Sequence, residues 1–202
     1  MDTHGWHVSS THVRSIHFAE DGWLMHMAAK LKHWTLEEVH SLPDDGNKYE
    51  LVRGQLFVTP PPPPEHETIN ARLNRLLVPY VAAQRLGMVY HPRSVVRFEG
   101  SEVEPDTMVR PEVKRRVKWD DAPIPRLVIE ILSPYTRRRD LSDKRSLYLD
   151  AAVAEYWIID PEERTIRAVR RDREDVVTRD RFVWTPTGAS EPLTIEIAEL
   201  FD

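Results

Sequence analysis

Cysteine is absent from the 202 residues of this chain. That absence removes disulfides, thiolate metal sites and cysteine nucleophiles together. Any metal must then be held by carboxylate, imidazole, carbonyl or water, and carboxylate with carbonyl favours Mg2+ or Mn2+. Long apolar runs are missing too. None approaches the roughly 20 residues needed to cross a bilayer, so no membrane role is expected. The N-terminus lacks the basic-then-apolar layout of a secretory signal, which makes the cytoplasm the expected compartment. Positive charge is in deficit: the formal net charge is -5, which argues against coating nucleic acid by bulk attraction. There is no internal repeat, and no H-E-x-x-H motif organises the histidines.

What is present fits one soluble domain with room for a core. Two basic clusters stand out: Lys114, Arg115, Arg116 and Lys118, then Arg137, Arg138 and Arg139. Such runs are either solvated surface or local contacts for phosphate. Residues 1–30 differ from the rest, with His4, His7, His12, His17 and His26 scattered among Ser, Thr and Trp. They read as a loosely ordered extension, with Met25 and Met27 as alternative starts. The organised domain is expected over 31–202.

Thr35 and Glu38 form a T-x-x-E capping box ahead of a short helix that ends near Pro43. Two strands flank Arg53-Gly54 as a hairpin, and Pro60 to Pro64 make a stiff connector. Apolar spacing predicts a helix from Glu65 to about Arg85, kinked or broken at Pro79. Strands are expected at 88–90, 94–98 and around 107–109. The run Leu127 to Leu132 reads as a central strand buried on both faces. A helix from Asp140 to about Ala152, strands at 156–159 and 165–171, and two more at 176–184 and 193–197 complete the chain. The predicted class is α/β, bordering on α+β: a mixed sheet flanked by helices.

Two residues break the local pattern. Glu130 interrupts the most apolar strand, where an ionised carboxylate must be paired, protonated or metal-bound. Lys144 shares a helix face with Leu141, Tyr148 and Ala151, which turns it inward. These two residues alone leave both a buried salt bridge and a functional site open. Asp106 adds a second acid, fixed by Pro105 at the edge of a strand-like run. Two carboxylates, a carbonyl such as that of Ile131 and retained waters are what Mg2+ takes.

The stretches Lys48-Tyr49-Glu50-Leu51-Val52-Arg53-Gly54, Glu65-His66, Glu104-Pro105-Asp106, Leu127 to Pro134, Asp140-Leu141 with Lys144 and Tyr148, and Glu155 to Pro161 resemble the Uma-two family. Its members are restriction-endonuclease-like proteins of the PD-(D/E)XK nuclease superfamily. The likeness runs from about Thr35 to the C-terminus. It implies a restriction-endonuclease-like mixed sheet, a divalent metal and phosphodiester hydrolysis. Asp106 and Glu130 become the metal ligands, and Lys144 a group that positions or deprotonates the attacking water or stabilises the transition state. Leu132 stands where the superfamily usually has its lysine, so Lys144 must reach the site from the following helix.

Glu50 joins the catalytic set either as a further acidic ligand at the site's edge or as the partner of a neighbouring strand. His66 and the arginines 137–139 are candidates for contacting nucleic acid, though a simple surface residue is the plainer reading of His66. Tyr148 and Trp157 read as core. The expected function is a Mg2+- or Mn2+-dependent endonuclease acting on DNA, with a symmetric homodimer as the expected assembly. A nuclease-fold module that binds nucleic acid or a partner protein without cutting is the alternative. A two-carboxylate glycoside hydrolase ranks last.

Overall fold

The computed structural model describes residues 32–113 and 116–202. The expected N-terminal extension with its histidines, and Lys114 and Arg115 of the first basic cluster, lie outside the described residues.

The capping box forms as expected. The Thr35 hydroxyl accepts from the Glu38 backbone N–H while the Glu38 carboxylate accepts from the Thr35 N–H, satisfying two orphan donors of α1 (Leu36–His40). β1 (Lys48–Val52) and β2 (Gln55–Thr59) pair through Arg53 and Gly54, both at positive φ. That is the primed turn which matches strand twist. The proline connector then feeds α2 (Pro64–Ala83), with Pro64 at its first position. Of the two outcomes expected at Pro79, a kink or a break, the break does not occur: α2 runs on past it. Its Ile69, Leu73, Leu77 and Val81 stripe is buried, and that packing outweighs the one backbone bond a proline removes.

β3 (Met88–Tyr90), β4 (Val96–Phe98), β5 (Ser101–Val103) and β6 (Thr107–Arg110) follow. A 3-10 turn, Trp119–Asp121, precedes β7 (Leu127–Ile131), which is buried throughout. The helix expected from Asp140 is two helices, α3 (Arg137–Leu141) and α4 (Asp143–Asp150), with Ser142 at φ -121 and ψ -76 between them. Asp140 is therefore a buried residue near the end of α3 rather than a cap. β8 (Glu155–Asp160) and β9 (Thr165–Val169) come next. The strand expected over 176–184 is also two, β10 (Val176–Thr178) and β11 (Arg181–Trp184), which join different sheets. β12 (Leu193–Glu196) and α5 (Ala198–Phe201) end the chain.

Three sheets result: β2-β1-β5-β4, β10-β9-β8-β7-β6-β3, and the β11-β12 pair. Among the described residues only β7 and β8 run parallel, which the α3–α4 crossover permits; every other pairing there is antiparallel. The six-stranded sheet is covered on both faces, as a buried parallel pair requires. Leu127, Ile129 and Ile131 pack with the α2 stripe, α5 and the β11-β12 pair. Val128, with Tyr156 and Ile158 of β8, packs with Leu147 and Tyr148 of α4 and with Val52, Val96 and Val103 of the four-stranded sheet. No helix among the described residues is long and apolar enough to cross a membrane.

Candidate active site

Strand alternation decides where Glu130 goes. It is two residues from Val128, so it faces α4 and the four-stranded sheet rather than α2. Only 2% exposed, it cannot remain an unpaired charge. Its Oε1 accepts from Lys144 Nζ at 2.7 Å and from Tyr148 OH at 2.6 Å. Both donors come from α4, four residues apart and so on one helix face. Lys144 is wholly buried and also meets Glu50 Oε1 at 2.8 Å and Asp140 Oδ1 at 3.6 Å. Glu50 arrives from β1, where it accepts from the Glu104 N–H at 2.9 Å and pairs with Arg139 Nη2 at 3.1 Å. Glu130 and Glu50, on different sheets, thus share one ammonium.

Asp106 sits immediately before β6, which pairs with β7. Its Oδ2 accepts from the Ile131 N–H at 2.8 Å and lies 3.0 Å from His66 Nε2 on α2. Oδ1 has the Lys48 ammonium 3.7 Å away, and that ammonium donates to the Glu104 carbonyl at 3.0 Å. Lys48 and Glu50 are alternate residues of β1 and point to the same face.

These contacts set the charges. Burial favours neutral Glu50, but Lys144, Lys48 and Arg139 together hold its carboxyl at about 2. Asp106 is likewise held far below the carboxylate range, against burial, by Lys48, His66 and the Ile131 N–H. Glu130 goes the other way: burial pushes it up to about 7, Lys144 pulls against that, and Asp106 and Asp140 add to it. Burial opposes the Lys144 charge, yet Glu130, Glu50 and Asp140 keep its ammonium above the ordinary lysine value. Burial also opposes charge on His66, and Asp106 reverses that, raising the imidazole.

Asp106 and Glu130 open onto one cavity of about 380 Å³, walled by Pro60 to Pro63 and rimmed by Arg93 and Tyr135. The donor set suits a small divalent cation. Both hydrogen bonds to Glu130 use Oε1, and Asp106 Oδ1 faces only a lysine at 3.7 Å. One oxygen of each acid is therefore left for a hard cation. Ile131, whose carbonyl is the expected further ligand, lines the same cavity. Among the described residues no group of three or more His, Cys, Asp or Glu is arranged to hold a metal. Two carboxylates completed by water is the pattern Mg2+ accepts.

The family model Uma2, described as "Putative restriction endonuclease", matches residues 36–197. The chain belongs to this family. A solved structure from Anabaena variabilis ATCC 29413, described as a putative nuclease belonging to DUF820, shares 26% identity at a TM-score of 0.70. The match covers 83% of this chain and 97% of that one. Among curated proteins, none matches. The fold is the restriction-endonuclease-like mixed sheet flanked by helices.

In this Uma2 chain, Asp106, Glu130, Lys144 and Glu50 lie close together, and the geometry narrows the roles open to the expected residues. Lys144 has no exposed surface and is held protonated by three carboxylates, so it cannot take a proton from water. Arg139 is not available to phosphate: it is buried against Glu50, donates to Thr59 at 3.0 Å and lies over the Phe57 ring. Arg137 is half-buried and pairs with Asp160 at 2.8 Å and Glu162 at 3.7 Å, while Arg138 is exposed. His66 is buried on Asp106 rather than on the surface. Tyr148 is core, as expected, yet its hydroxyl holds Glu130. Lys48 is the residue missed, although the Lys48-Tyr49-Glu50 alternation on a predicted strand already places it beside Glu50.

Proposed function

We propose that this protein is an endonuclease that hydrolyses phosphodiester bonds in DNA, using Mg2+ or Mn2+ bound by Asp106 and Glu130. The observation that carries the reading is that these two acids, from adjacent strands, present free oxygens to one open cavity. A bound divalent cation would supply Lewis acidity toward the phosphate and lower the pKa of water. The chain's own groups do the rest. The Ile131 N–H and His66 fix the Asp106 carboxylate so that Oδ1 points to the cavity. Lys144 and Tyr148 fix Glu130 through Oε1 and leave Oε2 open. Lys48 is half-buried at the cavity wall, and opposing carboxylates keep its ammonium charged. Lining the same cavity as Asp106 and Glu130, it would stabilise charge developing on a phosphate oxygen, the part of the reaction that a pre-placed cation favours most. Lys144 acts through Glu130 as a positioning residue.

The test is a cleavage screen on single-stranded, duplex and branched DNA and on RNA, with and without Mg2+ or Mn2+. Glu130→Gln and Asp106→Asn should each abolish metal-dependent cleavage while circular dichroism remains native. Cleavage that survives Glu130→Gln rules the reading out. One observation favours a second reading, a module that binds nucleic acid without cutting: Lys144 has no path to the cavity. That reading predicts salt-sensitive binding with no turnover under any metal.

A further inference from the structure

Resting on the reading of this cavity as a nucleic-acid site, we infer that it takes an unpaired nucleotide segment, with one base stacked on Tyr135. Tyr135 follows β7 by four residues and stands at the rim of the cavity that Asp106 and Glu130 line. It is 80% exposed, the most of any large apolar side chain among the described residues. A ring so exposed at the mouth of a cavity has its face free to serve as a stacking platform. The same cavity is lined by Pro60, Pro61, Pro62 and Pro63, all exposed. Their stiff rings present flat apolar surface at little entropic cost.

Charge points the same way. Gripping a duplex takes a row of cations against phosphates. Here the cavity carries Lys48 and Arg93 with His66, against Glu67, Glu104, Asp106 and Glu130. The nearby cluster adds only the exposed Arg138, because Arg139 is occupied by Glu50 and Arg137 by Asp160. Depth agrees as well. Asp106 and Glu130 are only 6% and 2% exposed, so a phosphate must descend into the recess to meet them. A stacked duplex holds its phosphates on a stiff rod, whereas an unpaired segment bends in and offers its bases to Tyr135 and the prolines. Stacking is sequence-tolerant, so little sequence preference is expected at this contact.

The test is equilibrium binding in metal-free buffer, read by 2-aminopurine fluorescence. The probes are a short single-stranded oligonucleotide, the same sequence as a blunt duplex, and a duplex with one bulged nucleotide. The wild type should prefer the single strand to the blunt duplex. Tyr135→Ala should weaken single-strand binding by roughly 5- to 150-fold, the worth of one stacked base. Tyr135→Phe and Tyr135→Trp should restore it, which a merely structural role would not do. Bulged duplex bound as tightly as single strand identifies an extruded base as the source, and weaker binding identifies a free strand. Equal binding of single strand by wild type and Tyr135→Ala, a preference for blunt duplex, or no binding at all overturns the inference. Cleavage is scored separately with Mg2+. Tyr135-dependent binding without cleavage sinks the nuclease reading alone, and duplex cleavage indifferent to Tyr135 sinks this inference alone.

Discussion

Glu50 and Glu130 touch the same ammonium yet titrate in opposite directions, and this gives the fold a particular response to acid. Glu50 sits at about 2 when folded against an ordinary 4.5. Its contribution is complete above 4.5 and is lost as pH falls toward 2. Glu130, at about 7 when folded against the same 4.5, binds its proton more tightly in the folded state. Stability from it is complete below 4.5 and is lost as pH rises toward 7. The pair should therefore contribute most near pH 4.5, and urea unfolding between pH 2 and 8 measures it. Glu50→Gln should flatten the acid limb, and Glu130→Gln the limb toward neutrality. If neither substitution alters the profile, the charge assignment is wrong. Removing the ammonium instead leaves buried carboxylates uncompensated. Lys144→Met should cost about 3–5 kcal/mol in the same experiment, far beyond an exposed lysine such as Lys32.

At the scale of elements, the site depends on how β6 is held beside β7. β6 also pairs with β3, and the turn into β3 passes through Gly87 at φ +121. A Cβ there would lie 2.1 Å from the Arg110 carbonyl oxygen, a backbone atom that cannot move without parting the strands. Gly87→Ala should destabilise the fold by more than the 1 kcal/mol of an ordinary loop change, seen as a lowered urea midpoint. A native midpoint would show that the turn can relax. Much at this scale is legible in the residues. Alternation about Glu130, the Leu141-Lys144-Tyr148-Ala151 face and the Thr35 capping box each rest on local periodicity or chemistry. What local reading misses is set by partners distant in the chain. α2 survives Pro79 because its stripe meets the sheet. The run 176–184 divides because β10 pairs with β9 while β11 pairs with β12. Arg139 is taken from the basic cluster by Glu50, 89 residues earlier in the numbering.

For the whole molecule, a bound divalent cation links the site to global stability. A ligand held only by the folded state adds RT ln(1 + [L]/Kd), about 2.7 kcal/mol at a hundredfold excess over Kd. Mg2+ or Mn2+ should accordingly raise the melting temperature in a concentration-dependent way, and Asp106→Asn should remove the shift. A shift that persists in Asp106→Asn places the cation elsewhere. Beyond its part in such experiments, the buried ammonium of Lys144 has a consequence for descent. It joins β1, β7 and α4, segments far apart in the chain, so a neutral substitution of Lys144 strands the acids, and loss of both acids strands Lys144. Glu50, Glu130 and Lys144 are therefore expected to persist or disappear as a set. A lineage that gives up the chemistry should exchange all three for packed apolar residues, and not drift through single losses.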